Sequence, residues 1–257
     1  MIQFSKYQGT GNDFILIDNR FQNISLSTEQ IAFLCHRRFG IGADGLMLLE
    51  AAEAYHFRMI YYNADGRESS MCGNGGRCIT AFAQQLNLVE NNAEFIAIDG
   101  VHHATISADG TIELQMNNVT EINHFENHSI LNTGSPHYVA WTNDVAHTDV
   151  VHLGKNIRYN QEFAPDGLNV NFAESTADGL FVRTYERGVE DETYSCGTGV
   201  TACAIAASGS ELGFFETNII TPGGKLKVSF SKNTPDTAID VLLTGPATFV
   251  FSGEIEI

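Results

Sequence analysis

Ser70-Met71-Cys72-Gly73-Asn74-Gly75 and Tyr194-Ser195-Cys196-Gly197-Thr198-Gly199 place two cysteines in near-identical glycine-rich settings, each opening a stretch of small, helix-compatible residues. Other short matches accompany them at one near-constant offset. Thr10-Gly11-Asn12 falls 123 residues before Thr133-Gly134-Ser135, and Ala43-Asp44-Gly45-Leu46 falls 122 before Pro165-Asp166-Gly167-Leu168. Tyr62-Asn63 falls 123 before Tyr185-Glu186, and the cysteines are 124 apart. Each match is short, but a shared spacing across four of them is the mark of an internal repeat. The chain therefore reads as two similar halves with one special thiol in each.

The bulk numbers agree with two mid-sized cores: 257 residues, 43% hydrophobic. A formal charge of −17 with only 14 Lys and Arg argues against nucleic acid as a partner, since phosphate backbones are held by clustered cations. The opening Met1-Ile2-Gln3-Phe4-Ser5-Lys6 has no apolar core of a signal peptide, and no apolar run approaches the roughly 20 residues of a membrane span. These features set the expectation of a cytoplasmic protein with no membrane partner. The five cysteines (35, 72, 78, 196 and 203) are odd in number and lack C-x-x-C spacing, which fits neither a disulfide framework nor a structural zinc site. Cys35, Cys78 and Cys203 read as buried core thiols. The adjacent His102 and His103 read as solvent-facing strand or turn residues, and no metal is expected.

Along the chain, residues 14–18 read as a buried strand, and Ser27 with Glu29 and Gln30 reads as a capped helix start. Strands follow at 46–49 and 57–62, a helix over 77–86, and strands at 94–98, 103–107 and 112–116, with Asp109-Gly110 as a hairpin turn. The polar stretch 117–129 marks the boundary between a first half, 1–117, and a second, 118–248. The second half repeats the scheme with strands at 130–132, 137–141 and 180–185, a helix over 201–207, and strands at 225–231, 239–243 and 248–251. The expected class is α+β: two pseudo-symmetric halves, each a central helix wrapped by mostly antiparallel sheet.

A cysteine at a helix N-terminus has its thiolate stabilised by the positive end of the dipole and by unpaired N–H groups. With no side chains in the way, the N–H groups of Gly73, Asn74, Gly197 and Thr198 suit a carboxylate. A carboxylate so held draws electron density from its α-carbon, which makes the Cα–H removable. Two thiols on opposite faces of such a carbon can then invert it, one taking a proton and the other returning one, with no metal or organic cofactor. One sulfur must be thiolate while the other is thiol, so the pair titrates as a coupled unit, with His137 and Glu186 as candidates for setting the asymmetry. Alone, either motif reads equally as a tight turn with a buried thiol; two in register point to function.

Four separated stretches carry a family resemblance: Gly9-Thr10-Gly11-Asn12-Asp13-Phe14, Asn63 through Arg77, Thr133-Gly134-Ser135-Pro136-His137, and Tyr185-Glu186-Arg187-Gly188 running on to Cys196-Gly197-Thr198-Gly199. In that order they resemble the diaminopimelate epimerases, which interconvert LL- and meso-diaminopimelate without cofactor in lysine and cell-wall precursor synthesis. The resemblance implies that Cys72 and Cys196 are the acid/base pair and that Gly73-Asn74 and Gly197-Thr198 grip the carboxylate at the reacting centre. Asn12, Asn63, Asn169, Glu186 and Arg187 would hold the rest of the substrate. Arg187, a planar cation, suits the distal carboxylate. The family further implies substrate in a cleft between the halves, residues 249–257 returning to the first half, and a homodimer. The chain departs from many relatives at Ser135, where they carry Asn, and from some at Gly45, where they carry Gln. The rival within catalysis is a proline or hydroxyproline racemase-like enzyme with the same two-thiol scheme, whose smaller substrate would not need Asn63, Asn169 and Arg187. A thiol redox sensor leaves the glycine cradles without purpose, and a phosphate-binding module lacks the Gly-Lys-Ser/Thr ending of a P-loop.

Overall fold

The computed structural model describes residues 1–69 and 71–257. Ser70, part of the first cysteine motif, lies outside the described residues. The chain divides into two compact units, Met1–Leu114 with Gly245–Ile257, and Gln115–Thr244.

The first unit runs β1 (Ile2–Gly9), β2 (Asn12–Asp18), α1 (Thr28–Cys35), β3 (Gly45–Glu50), β4 (Phe57–Asn63), β5 (Glu68–Ser69), α2 (Gly73–Gln85), β6 (Asn92–Ala97), β7 (Gly100–Ile106) and β8 (Ile112–Gln115). Phe14, Ile15, Leu16 and Ile17 of β2 are all buried, as a strand covered on both faces must be. β1 and β2 form a hairpin turned at Thr10 and Gly11, both at positive φ; β2 then runs parallel to β3, which is antiparallel to β4. β4 is antiparallel to β5 and parallel to β6, and β6, β7 and β8 continue antiparallel. α1 starts where read: Ser27 accepts from the Gln30 N–H while the Gln30 side chain reaches back to the Ser27 N–H.

The second unit repeats this plan strand for strand. β9 (Ile122–His124), β10 (His128–Asn132), β11 (Pro136–Trp141), α3 (Val150–Arg158), β12 (Asn169–Thr176), β13 (Gly179–Glu186), β14 (Asp191–Thr193), α4 (Gly197–Ala207), β15 (Gly213–Thr221), β16 (Gly224–Lys232) and β17 (Ile239–Gly245) follow in order. The pairing β10–β11 antiparallel, β11–β12 parallel, β12–β13 antiparallel, β13–β15 parallel, β15–β16 and β16–β17 antiparallel is that of the first unit. β9 edges β10 just as β18 (Thr248–Ile255) edges β1. The fold class is α+β, mostly antiparallel, in two pseudo-symmetric halves.

Each central helix is wrapped by strands of its own unit. α2 packs on β1, β2, β3 and β7, and α4 on β10 to β13, β15 and β16. α4 is buried all round, which only small and apolar residues such as Ala202, Ala204, Ile205 and Ala206 permit. Cys35, Cys78 and Cys203 lie in the core, where burial raises each thiol's pKa, that of Cys35 to about 12. The polar stretch 117–129 holds β9 and a bridge from Val119 to Ala238, with Val119 and Ile122 buried. One expectation needs correction. His102 is not solvent-facing: it is buried in β7, stacked on Phe95 and bonded through Nε2 to Asp99 at 3.1 Å. His103, the next residue on the pleat, is exposed.

Candidate active site

Cys72 is the N-cap of α2, with φ −105° and ψ 149°, and its Sγ accepts from the Gly75 N–H at 3.2 Å. The sulfur thus takes the place of the usual hydroxyl or carboxylate cap and sits against the helix's positive end. The first N–H groups of an α-helix have no carbonyl one turn back, and Gly73 and Asn74 occupy that first turn here. A polar chain fixes the turn from the side. Asn74 Nδ2 donates to Asn12 Oδ1 at 3.3 Å, and Asn12 Nδ2 donates to Asp44 Oδ2 at 2.6 Å. Asp44 also accepts from Arg37, which forks onto Asp13. Burial opposes ionisation of Asp13, but hydrogen bonds from Arg37 and Lys6 outweigh it and hold its pKa down to about 2.

Asn12 and Asn74 are therefore brought together, whereas Asn63 stands at the end of β4 with an exposed side chain and its N–H bonded to Arg67 O at 3.0 Å. It faces Gly45 across the β3–β4 ladder. A Cβ at Gly45 would come within 2.5 Å of the Tyr61 ring and 2.7 Å of the Tyr62 carbonyl. The glycine is thus required by the local packing of β3 on β4, whatever stands there in other chains.

In the second unit Cys196 holds the N-cap position of α4, at φ −114° and ψ 112°, with Sγ 3.5 Å from Thr198 Oγ1. Thr133 Oγ1 donates to Thr198 O at 2.8 Å, tying the 133–137 turn to the first turn of α4. Asn169 Oδ1 accepts the Arg187 N–H at 2.8 Å and its Nδ2 donates to Pro136 O at 3.3 Å, so Asn169 orders the strand end that presents Glu186 and Arg187. Glu186 Oε2 accepts from Thr193 Oγ1 at 2.8 Å. Ser135 contributes its carbonyl to the turn, accepting the Thr133 N–H at 3.2 Å.

His137 is fully buried in β11; its Nδ1 accepts from Asn171 Nδ2 at 3.1 Å, which places the ring proton on Nε2. That Nε2 is buried with no hydrogen-bond partner among the described residues. Burial first, and the nearby Arg187 second, push its pKa down to about 3, so the imidazole is neutral at physiological pH. The unfolded chain binds a proton at this residue below about pH 6.5 while the folded chain does not, so stability is full above that pH and declines on acidification. We expect wild type to lose stability between pH 6.5 and 5 faster than His137→Gln, the difference growing by up to about 1.4 kcal/mol per pH unit. Chemical denaturation at several pH values measures it; parallel curves would show that His137 protonates in the fold.

Several residues of the site had no individual signal in the sequence. Asp44, Thr10, Thr133 and Asn171 each bond through the side chain to a partner distant in sequence, Asn12, Arg77, Thr198 and Thr184. Arg77 lay inside the first motif, yet only the structure shows it to be wholly buried. Among the described residues no three His, Cys, Asp or Glu side chains cluster to hold a metal ion, and no helix is long and apolar enough to cross a membrane.

The family model described as diaminopimelate epimerase matches residues 4–122 and 129–250. The chain is 52% identical to the diaminopimelate epimerase of Flavobacterium psychrophilum over 97% of its own length and 98% of the relative's. It belongs to the diaminopimelate epimerase family. The protein of that name from Chlorobaculum tepidum is 41% identical over 96% of this chain and 98% of its own. Among solved structures, a Bacillus anthracis phenazine biosynthesis protein of the PhzF family superposes with a TM-score of 0.79 at 13% identity, covering 100% of this chain and 99% of its own. A probable proline racemase from Agrobacterium radiobacter K84 superposes with a TM-score of 0.69 at 16% identity, covering 100% and 93%. At such identities these neighbours share the fold with the epimerase family and nothing more specific.

Proposed function

We propose that the chain is an isomerase that interconverts LL- and meso-2,6-diaminopimelate, using Cys72 and Cys196 as alternating base and acid. The observation that carries this reading is the duplicated arrangement: in each unit one cysteine stands at the N-cap position of a buried helix whose first turn carries glycine, in a chain of this family. In the proposed step one sulfur, as thiolate, takes the α-proton. The electron pair of the broken C–H bond moves into the adjacent carboxylate, held by N–H groups of Gly73, Asn74, Gly197 and Thr198. The other sulfur, as thiol, gives its proton to the opposite face of the carbon. The enzyme ends with its proton on the first sulfur and the stereocentre inverted. A thiolate base and aimed dipoles supply what a pyridoxal group would otherwise supply, so no such cofactor enters the scheme.

Asn12, Asn63, Asn169, Glu186 and Arg187 hold the distal amino-acid end in this reading, which restricts inversion to one centre. Arg187 pairs with the distal carboxylate, and Glu186 and the amides receive the ammonium group. Action in the cytoplasm as a homodimer, in lysine and peptidoglycan precursor synthesis, completes the proposal. A proline-type substrate is the weaker alternative, since the racemase-like structures share only the fold.

The test is incubation of purified protein with LL-diaminopimelate in heavy water without pyridoxal phosphate. The meso form should appear with solvent deuterium at one α-carbon. Inversion without label, or conversion of proline and not of diaminopimelate, would overturn the reading.

A further inference from the structure

At position 77 the two halves of the repeat differ in charge beside the cysteine motif. Arg77 stands five residues after Cys72 in α2, and Thr201 stands five after Cys196 in α4. Both are fully buried, and both bond the carbonyl of the glycine that follows the cysteine: Arg77 Nη1 donates to Gly73 O at 3.1 Å, and Thr201 Oγ1 donates to Gly197 O at 2.9 Å. The local scaffold is therefore the same while the charge is not.

Arg77 makes three further bonds, Nη2 to Asn74 Oδ1 at 3.0 Å, Nη2 to Thr10 Oγ1 at 3.3 Å and Nε to Pro246 O at 3.3 Å. Every acceptor is neutral, and no carboxylate pairs with Arg77 among the described residues. A buried cation without a carboxylate is costly unless some other negative charge answers it. Burial, opposed by Cys78 and Cys72, lowers its pKa to about 10, so it stays charged at neutral pH. The titratable groups that reach this turn from elsewhere do not supply the anion. Tyr7 of β1 is pushed up to about 12 and is neutral. Cys78 of α2 is a buried, raised thiol. Asp13 of β2 is answered by Lys6 and Arg37, and Asp99 ahead of β7 is hydrogen-bonded to His102 and not to Arg77. β3 brings Met47, which carries no charge.

We infer that Arg77 makes the two thiols unequal, so that in the resting enzyme Cys72 is the thiolate and Cys196 holds the proton. Arg77 is thus a positioning residue: it touches Gly73 and Asn74 of the proposed carboxylate cradle and biases the charge on the neighbouring sulfur. The uncharged Thr201 leaves Cys196 without this bias. The inference rests on the two-thiol reading above, and it names Arg77 beside His137 and Glu186 as a source of the asymmetry.

The test is alkylation of the unliganded protein with iodoacetamide across pH, with the peptides carrying Cys72 and Cys196 quantified separately by mass. The midpoint of each profile is read, not the rate, because a more basic thiolate is also more nucleophilic. In wild type the Cys72 midpoint should lie below that of Cys196. In Arg77→Gln the Cys72 midpoint should rise by about one pH unit and the gap between the two thiols should narrow, with Arg77→Lys closer to wild type. A Cys196 midpoint at or below that of Cys72 in wild type overturns the inference. So does a folded R77Q protein in which Cys72 has not moved, even if activity is lost, since that outcome makes Arg77 a scaffold only. Should R77Q not fold, the wild-type order decides alone. The alkylation order is independent of turnover, so absence of epimerisation with Cys72 ionising first would sink the proposed function and leave the charge bias standing.

Discussion

Cys72→Ala and Cys196→Ala should each lower epimerisation by about 10³- to 10⁴-fold while the fold survives. Under the proposed mechanism each sulfur is the sole proton carrier on its face of the substrate, so one remaining thiol can neither complete inversion nor be relieved by a neighbour. The other cysteines offer no substitute: Cys78 and Cys203 lie in the cores of their units with raised pKa values and no exposed sulfur. The stability cost of either substitution is small, on the order of 1 kcal/mol for removal of one heavy atom, from a half-buried site at Cys72 and a buried one at Cys196. Cys78→Ala and Cys203→Ala are the informative contrast, expected to soften the core and leave turnover within a few fold. The measurements are circular dichroism, thermal melting and stereochemical assay of product. A well-folded single mutant at position 72 or 196 with more than about a tenth of wild-type kcat/KM would remove the two-thiol mechanism.

Gly199→Ala should be a strongly damaging small change beside the Cys196 motif. A Cβ at position 199 would overlap Asn171 Oδ1 and lie 3.4 Å from Asn171 Cγ and 3.3 Å from the Cys196 Cβ. The amide has nowhere to go. Its Oδ1 accepts from Thr184 Oγ1 at 2.9 Å, and its Nδ2 donates to Tyr138 O at 3.0 Å and to His137 Nδ1 at 3.1 Å. Either α4 lifts from β12 and carries the Cys196 cap with it, or Asn171 abandons a buried hydrogen bond. Overpacking and an unsatisfied buried group each cost about 1–3 kcal/mol, so we expect a loss of roughly 2–4 kcal/mol in stability together with reduced activity. Because the clash is with one side chain, Gly199→Ala and Asn171→Ala should be non-additive, the double mutant costing less than the two singles combined. Denaturant titration of the four proteins measures this; strict additivity, or a Gly199→Ala melt equal to wild type, would show that helix and strand are not in such close approach.

Much of the fold was legible because its cues are local. Ser27 and Gln30 cap a helix through residues three apart, the run 14–17 is apolar enough to be buried on both sides, and Asp109-Gly110 turns a hairpin. β1 was not read, since Ser5 and Lys6 break its apolar pattern. Both are buried all the same, Lys6 because it pairs with Asp13 at 2.8 Å and reaches the Gly42 carbonyl. α3 was not read; only Val150 and Gly154 among its residues are buried, so few core positions mark it. β9 escaped because three residues with only Ile122 buried carry too little periodicity.

By itself the sequence determined that this chain is a duplicated α+β protein of one enzyme family, because a repeated motif, its spacing and its helix-opening glycines are written in adjacent residues. Only the tertiary structure decided the electrostatic character of the groups around the thiols. Arg77 is a buried cation because Thr10 and Pro246, 67 and 169 residues away, close over it. His137 is a neutral ring because the strands around it exclude water. Burial and its effect on charge depend on which distant segments meet, and no local pattern encodes that.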